Sequence, residues 1–254
     1  DFSSSFSVHI NDGPVSIFTY PTSLEWLSGT ETLDATASTD SDGTLTNYKF
    51  EIDNNSGFTS PTTVCDSASV TCSLNTITQT ECLEESNTCY LRLTTTDNDG
   101  VTNSTFIQVG IDNVGAAVTL DLPVNDSYIN SESQIINATA VDSGSDVACV
   151  EFDAYYSDGW NSVNVDCSSP YEYTWDLSSV VDQTLISVRA RANDSEGNFG
   201  SYSIHGNITH DTTKPIVSLI SPSNGNVTSL NSQEFNFIFV DELSESAACS
   251  LIID

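Results

Sequence analysis

Carboxylates in short loops are the side chains of this sequence that could do chemistry. An Asp-x-Asp-Gly sequence occurs twice in its first half, at 40–43 and 97–100. Calcium takes about six to eight oxygen ligands, several of them carboxylates, so two such loops that meet could hold an ion. Asp-Ser-Asp-Gly and Asp-Asn-Asp-Gly are also ordinary turn sequences, and plain turns are the alternative.

The sequence contains no recognisable catalytic motif. It contains no nucleophile elbow, phosphate-binding loop, His-Glu-x-x-His or paired-histidine motif. With three histidines in 254 residues, the chain offers no plausible Ser-His-Asp set. We therefore predict that the chain is not an enzyme and has no cofactor apart from calcium.

The charge of the chain excludes several classes of partner. Its formal net charge is −31, with five lysines and arginines against 36 acidic residues. Phosphate backbones and anionic membrane surfaces would be repelled, so nucleic acid and lipid are poor partners. No apolar run is long enough to insert into a membrane. Calcium or high external salt is the natural counterpart, and a purely solubilising surface is the alternative.

The elements that would position the acidic loops recur along the chain. A strand, an acidic junction and a second strand occur at 6–21, 106–123 and 202–222. A spacing of about 100 residues suits whole domains in tandem. The predicted divisions are 1–11 as the last strand of a preceding domain, 12–113 and 114–211 as complete domains, and 212–254 as the first part of a further domain. Both ends would continue into a longer chain, and exchange of strands between copies is the rival interpretation.

Short alternating apolar segments predict the fold class. Tyr48-Phe50-Ile52, Val150-Phe152 and Phe235-Phe237-Phe239 are examples, and Gly, Asn, Asp, Ser and Pro clusters separate such segments. Many short strands with turn signals every 8–12 residues or so indicate a β-sandwich. We predict an all-β chain of tandem sandwich domains arranged as beads on a string.

The sequence of 12–113 resembles the PKD-type domain, a polycystin-like immunoglobulin fold of bacterial and archaeal surface proteins. The resemblance rests on GTETLDATASTDSDGTLTNYKFEID and CYLRLTTTDNDG. The family's Trp-Asp-Phe-Gly-Asp-Gly segment is replaced by KFEIDNNSG, and a Cys-rich insertion follows. Residues 114–211 resemble the Ig-like repeats of large surface proteins, as does the opening at 212. The resemblance implies tandem immunoglobulin-like domains and leaves function open, because such modules serve many roles.

In an Ig-like sandwich, the loop after the second strand and the loop before the last strand emerge at the end where the chain enters. This geometry gathers acidic side chains near the junctions 11–12 and 112–113. Glu196 lies near the second junction, and Asp241 and Glu242 approach Asp211 at a third. We therefore predict calcium at the junctions. The candidate ligands are Asp12, Asp40, Asp42, Asp97 and Asp99 in the first, and Asp112, Asp142, Asp146 and Asp194 in the second.

Seven cysteines occur, and none lies in a Cys-x-x-Cys motif. Cys149 and Cys167 are symmetric about the turn at Asp158, so a cross-strand disulfide is predicted between them. Cys65 with Cys72 and Cys82 with Cys89 share one spacing, although crossed pairing within these four is an open alternative. The partner expected for Cys249 lies beyond residue 254. Disulfides imply an oxidising, extracellular setting.

Asparagine sequons and exposed aromatics are further candidate sites. Secretion would permit glycosylation at Asn54, Asn103, Asn125, Asn193, Asn207 and Asn226. Trp160 at a hairpin tip, beside Tyr155 and Tyr156, could contact a glycan or a partner. We expect these rings to cover a core edge instead, as such aromatics more often do.

The function predicted is that of a non-enzymatic, extracellular structural protein of bacterial or archaeal origin. It would form a segment of a cell-surface filament, stalk or surface-layer array, and its partners would be copies of itself or further domains of the same chain. An adhesin or glycan-binding stalk is the second interpretation. Accessory modules of a secreted hydrolase are the third.

Overall fold

The computed structural model describes residues 10–243, together with Ala248 and Ser250. The described residues form strands and no helix, which confirms the all-β prediction. None of them belongs to a helix that is long and apolar enough to cross a bilayer. The strands are β1 Trp26–Leu27, β2 Thr30–Asp34, β3 Leu45–Asp53, β4 Thr62–Ser67, β5 Thr71–Asn75, β6 Ser86–Asp97, β7 Thr102–Ile111, β8 Ala117–Leu122, β9 Tyr128–Ile129, β10 Ser133–Val141, β11 Val147–Tyr156, β12 Gly159–Asp166, β13 Tyr171–Asp176, β14 Gln183–Asp194, β15 Ser203–His210, β16 Ile216–Ser221 and β17 Asn236–Val240.

The strands assemble into two β-sandwiches. In the first sandwich, the sheet β1-β7-β6-β3-β4 packs on the pair β2-β5. In the second, the sheets are β12-β11-β14-β15-β9 and β13-β10-β8. Contacts divide the chain into two compact units, one of 1–117, 140–148 and 192–201 and the other of 118–139, 149–191 and 202–254. The tandem-sandwich prediction is confirmed.

Strands β6 and β14 show why the sequence folds this way. Along both, the last nine residues alternate strictly between buried and half-buried, beginning and ending with a buried residue. Side chains of a strand point alternately to its two faces, so the apolar set of each strand enters a core. Leu91 and Leu93 of β6 correspond to Val188 and Ala190 of β14, and all four are fully buried. Each strand ends in a buried aspartate that belongs to the candidate site.

The strand that enters each sandwich runs parallel to the strand that leaves it. In the first sandwich, β1 pairs with β7, and the N–H groups of Leu24, Gly110 and Asp112 bond to carbonyls across the pair at 2.7, 2.9 and 3.0 Å. In the second, β9 pairs with β15, and three backbone bonds at the ends of this pair measure 2.9–3.1 Å. Gly110 lies against the indole of Trp26, and a Cβ at this position would overlap that ring. The close approach therefore requires glycine.

Three disulfides occur among the described residues: the predicted Cys149–Cys167, and Cys65–Cys72 and Cys82–Cys89, for which crossed pairing had been the open alternative. Cys65–Cys72 links β4 to β5, and thus the two sheets of the first sandwich, with 5.9 Å between Cα atoms. The Cα distances of Cys82–Cys89 and Cys149–Cys167 are 5.5 and 4.0 Å. Small domains with thin cores gain stability from such links, because they restrict the unfolded chain.

Residues 212–243 contain the antiparallel pair β16–β17, which runs from Ile216 opposite Val240 to Ser221 opposite Asn236 with a register shift between Leu219 and Ser221. Their apolar side chains are largely exposed. The assignment of 212–254 to a further domain remains a prediction, as do the other domain boundaries. The segment 1–9 and Cys249 lie outside the described residues, so the expectations for the first strand and for the partner of this cysteine lie there too.

Candidate cation site

The first acidic cluster lies where the chain enters the first sandwich. The Asn11 side chain donates from Nδ2 to Oδ2 of Asp97 over 2.7 Å. Oδ1 of Asp97 accepts the backbone N–H groups of Asp99 and Val101 at 2.9 and 2.8 Å. Asp40 contributes a half-buried carboxylate whose two oxygens have no hydrogen-bond partner, and Oδ1 of Asn11 has none either. A neutral amide thus meets the carboxylates where carboxylates alone were expected.

The second acidic cluster consists of Asp112, Asp142 and Asp194. Each offers a carboxylate oxygen, and these oxygens lie within 4.8 Å of one another. Asp112 follows β7, Asp142 follows β10 and Asp194 ends β14, so three strand ends bring them together. Asp112 and Asp194 are 0% and 1% exposed. Three carboxylates therefore meet away from bulk water.

The hydrogen bonds of the second cluster leave one oxygen unpartnered. Oδ2 of Asp112 accepts from the backbone N–H and the hydroxyl of Ser145 at 2.8 and 2.7 Å. The side chain of Asp194 accepts from the backbone and the amide of Asn198, both at 2.8 Å. Oδ1 of Asp142 accepts from Gly144, but its buried Oδ2 has no partner. That oxygen carries unsatisfied acceptor capacity beside two further carboxylates.

Glycines allow the loop backbone to approach both clusters. A Cβ at Gly144 would lie 2.5 Å from Oδ2 of Asp112. A Cβ at Gly43 would lie 2.6 Å from Oδ2 of Asp40. Both distances are far inside van der Waals contact. A side chain at either position would therefore push a carboxylate out of its cluster.

The pKa values of two carboxyl groups are raised by the crowded negative charge at the second cluster. Burial, with the nearby carboxylates of Asp112, Asp194 and Glu85, raises the pKa of Asp142 above its ordinary value. Burial and the charges of Asp194, Glu31, Asp112 and Glu25 likewise raise the pKa of Glu196. Both shifts mean that the negative form lacks compensating positive charge.

In the first cluster, the two carboxylates respond in opposite directions. The Asn11 amide and three backbone N–H groups lower the pKa of Asp97. Burial and the charges of Asp42 and Asp97 raise that of Asp40. The amide therefore stabilises one charge of this cluster and leaves the other unrelieved.

The remaining predicted ligands take different places. Asp12 is exposed, and its backbone N–H, not its carboxylate, bonds to Asp42 at 3.0 Å. Asp146 is exposed, and its carbonyl accepts from Ser195. It is not part of the three-carboxylate cluster found among the described residues. Sequence reasoning missed Asn11, although aligning the two junctions places it opposite Asp112.

The sequons also take different environments. Asn54, Asn103, Asn125, Asn207 and Asn226 are exposed, and Asn193 is half-buried. The amide nitrogen of Asn103 donates to the carbonyl of Pro14 at 2.8 Å, and that of Asn207 to Asp126 at 3.2 Å. The amide nitrogen of Asn193 donates to the carbonyl of Asp194 at 3.1 Å. These three nitrogens would have to leave a hydrogen bond to be modified. Glycosylation remains a prediction at all six.

Comparison with known proteins supports the fold of the second sandwich. Residues 117–204 match the family model described as bacterial Ig domain. This range takes in β8 through the first residues of β15. The second sandwich is thus similar to a bacterial Ig domain. No curated protein matches the sequence.

Several solved structures are similar at low identity. Domains A168–A170 of titin share 12% identity over 81% of this chain and 69% of theirs, with a TM-score of 0.47. A tetra-tandem repeat from the extending region of a large adhesion protein shares 18% identity over 82% of this chain and 52% of its own, with a TM-score of 0.34. A Ca²⁺-stabilised, ice-binding adhesin of an Antarctic bacterium shares 14% identity over 83% of this chain and 52% of its own, with a TM-score of 0.37. This chain spans about half the length of the two adhesin segments, and no property of it follows from similarity this low.

Proposed function

We propose that this chain is a non-enzymatic segment of an extracellular structural protein, in which cations bound at the acidic junctions stiffen a series of Ig-like domains. The match of residues 117–204 to a bacterial Ig domain supports the modular part of this proposal. Three disulfides support an extracellular location, because such bonds persist in oxidising compartments. The acidic surface suits an exposed protein that must remain soluble.

The second acidic cluster is the observation that carries the proposed cation role. Three carboxylates within 4.8 Å of one another, two of them almost fully buried, repel each other unless a proton or a cation intervenes. Removing such charges from water without a partner is costly. A cation would relieve the repulsion. It would also join the end of β7 to the loop at 140–148 and to the end of β14.

The chemistry of the donors fits calcium. All three side chains offer oxygen, the unpartnered Oδ2 of Asp142 is a ready ligand, and further oxygens could come from the backbone or water. Asp112, Asp142 and Asp194 would hold the ion, which would supply positive charge and a fixed coordination shell. The cluster contains no cysteine or histidine, the ligands that zinc and copper favour.

The finer assignment follows the resemblances of the sequence. We propose a PKD-type identity for the first sandwich and a place in a bacterial or archaeal cell-surface filament, stalk or surface-layer array. Its partners would be further domains of the same chain or other copies of it.

The test is a calcium titration of the purified chain, followed by thermal unfolding and calorimetry. Wild type should bind calcium and unfold at a higher temperature in its presence than in excess chelator. At a hundredfold excess over the dissociation constant, about 2.7 kcal/mol of stabilisation is expected. At about 2–4 °C per kcal/mol for a chain of this size, that raises Tm by roughly 5–11 °C. Magnesium should act more weakly, because it demands octahedral geometry and gives up water reluctantly.

Two substitutions in the same loop provide the matched comparison. Asp142→Asn removes a carboxylate of the cluster, whereas Asp146→Asn makes the same charge change at an exposed position. The calcium-dependent rise in Tm should be lost in the first and kept in the second. Equal responses in both variants, or no response in wild type, would contradict the proposed site.

A further inference from the structure

The outer face of the second sandwich carries a set of stacked aromatic and arginine side chains that the acidic clusters do not involve. We name Tyr155, Trp160, Arg189, Arg191 and Tyr202 the Arg-aromatic patch. The guanidinium of Arg189 lies 4.1 Å from the ring centre of Trp160 and 3.9 Å from that of Tyr202. Arg191 lies 5.0 Å from the same tyrosine.

The patch faces away from the core. On β14, Arg189 and Arg191 alternate with Val188, Ala190 and Ala192, whose side chains are fully buried. Alternating residues of a strand point to opposite faces, so the arginines project outward. Trp160 and Tyr155 retain 39% and 37% exposure, which differs from the expectation that these rings cover a core edge. Tyr156, their neighbour, instead contacts Trp175 at 5.6 Å.

The patch is electrically balanced within a strongly acidic chain. Nε of Arg189 donates to Asp153 at 2.9 Å, and Nε of Arg191 donates to Glu151 at 2.8 Å. Two arginines against two carboxylates give a local charge of zero, whereas the whole chain carries −31. An anionic partner would be repelled by the rest of the surface, and a cationic one gains nothing here. A neutral partner meets no such penalty at this face.

The chemistry of the patch fits a neutral partner that is apolar on its faces and rich in hydroxyls at its edges. Aromatic rings offer flat apolar surface with large contact area and few rotatable bonds. Arginine and carboxylate groups are donors and acceptors suited to neighbouring hydroxyls. Stacking and ion pairing already hold the arginines in place, so binding would order few additional side chains.

We propose that the Arg-aromatic patch binds an uncharged hexopyranose polysaccharide. The apolar C–H face of a sugar ring would rest on the exposed parts of Trp160 and Tyr155. Its hydroxyls would bond to the Arg189–Asp153 and Arg191–Glu151 pairs. This binding is independent of the cation proposed at the acidic clusters, and failure of one proposal leaves the other standing.

The test uses the three tryptophans as reporters. Protein labelled with 5-fluorotryptophan is titrated with cellohexaose, chitohexaose and mannohexaose, and ¹⁹F NMR follows Trp26, Trp160 and Trp175. The Trp160 resonance should shift saturably with at least one oligosaccharide, while those of Trp26 and Trp175 stay in place. A polygalacturonate oligomer should cause no shift, because it is anionic.

Variants distinguish binding at the Arg-aromatic patch from non-specific binding elsewhere. Trp160→Ala should weaken binding of the active oligosaccharide at least tenfold in calorimetry, and Trp160→Phe, which keeps a ring, should weaken it less. Tyr128→Ala removes an aromatic of the same unit that is 69% exposed and lies on β9. It should bind like wild type. The proposal is overturned if no oligosaccharide moves the Trp160 resonance or if Trp160→Ala binds as wild type does. A Trp160 shift that follows protein concentration without sugar overturns it in favour of a second copy.

Discussion

The two acidic clusters occupy equivalent places at the entrance and exit of the first sandwich, yet they solve the problem of crowded charge differently. In the first, the Asn11 amide donates to Asp97 and neutralises part of the crowding. In the second, the same place holds Asp112, which is fully buried and can only accept when ionised. Asn11 and Asp112 differ by an NH₂ group against an oxygen. The first cluster therefore has an internal hydrogen-bond donor, whereas the second needs a proton or a cation to relieve its repulsion.

The ion pairs of the two sandwiches also differ, in how deeply the carboxylate is buried. Glu51 is 4% exposed and bonds to Lys49 at 2.7 Å and to Arg92 at 2.6 Å. Burial alone would raise its pKa, but these two cations lower it below the usual range. In the second sandwich, the side chains of Glu151 and Arg191 are 29% and 31% exposed. The two sandwiches therefore carry ion pairs whose contributions to stability should differ with the exposure of the carboxylate.

The largest expected contrast comes from truncating one arginine in each sandwich. Arg92→Ala leaves Glu51 buried with Lys49 alone and uncovers the ring of Phe58, which the guanidinium covers at 4.5 Å. We expect a loss of roughly 2–3 kcal/mol in the free energy of unfolding, since a buried charge loses a partner. Arg191→Ala should cost about 0–1 kcal/mol, because its pair is solvated. Urea unfolding measures both, and equal losses would break the comparison.

Exchanging the two junction residues tests the acidic clusters directly. Asn11→Asp should lower the free energy of unfolding by about 1–2 kcal/mol in chelator, because a donated hydrogen bond is replaced by a like charge. Calcium should restore it by occupying the new set of carboxylates. Asp112→Asn should weaken the calcium response of wild type. If neither substitution changes the response to calcium, the amide is not what distinguishes the clusters.

The smallest effect concerns Asp182, whose surroundings are the reverse of those of Asp142. Hydrogen bonds from the hydroxyls and backbone N–H groups of Thr213 and Thr212 lower its pKa to about 2. Because this pKa lies below the unfolded value near 4, its stabilisation is complete above that value. It should disappear as the pH falls toward about 2.

Amide shifts of Thr212 and Thr213 in NMR should report this transition with a midpoint near pH 2. Asp182→Asn should abolish it for the Thr212 amide, which is the more specific reporter because the Thr213 N–H also donates to Asp211 at 3.1 Å. A midpoint at the ordinary value near 4 in wild type would show that the four hydrogen bonds do not favour the charged form.

Much of the frame could be predicted because strand periodicity and turn residues are local signals. The alternation in Leu91-Arg92-Leu93 and in Val188-Arg189-Ala190 predicts which side chains enter the core, and the structure buries them so. The meeting of Asp112, Asp142 and Asp194 followed from where loops emerge in an Ig-like sandwich. The pairing of Cys149 with Cys167 followed from their symmetric spacing about a turn, whereas spacing alone left the pairing of the other four described cysteines open.

The rest depends on contacts that spacing does not encode. Whether Asp12 or Asn11 reaches Asp97 is decided by the direction of each side chain, and the two residues are adjacent. The position of Trp160 over Arg189 depends on the pairing of β11 with β12, whose register shifts between Phe152 and Asp153. Such a shift leaves no mark in the pattern of apolar residues. The sequence could therefore offer Trp160 and Tyr155 as a possible glycan contact, but not the stacking of Arg189 on Trp160.

The parallel pairing of entering and leaving strands has a mechanical consequence. Tension along the chain would draw β1 and β7 past each other lengthwise, and would do the same to β9 and β15. The hydrogen bonds of each pair would then be loaded together, whereas an antiparallel hairpin pulled from its open end breaks one bond at a time. Each sandwich is thus built to resist pulling at the two places where force enters and leaves it.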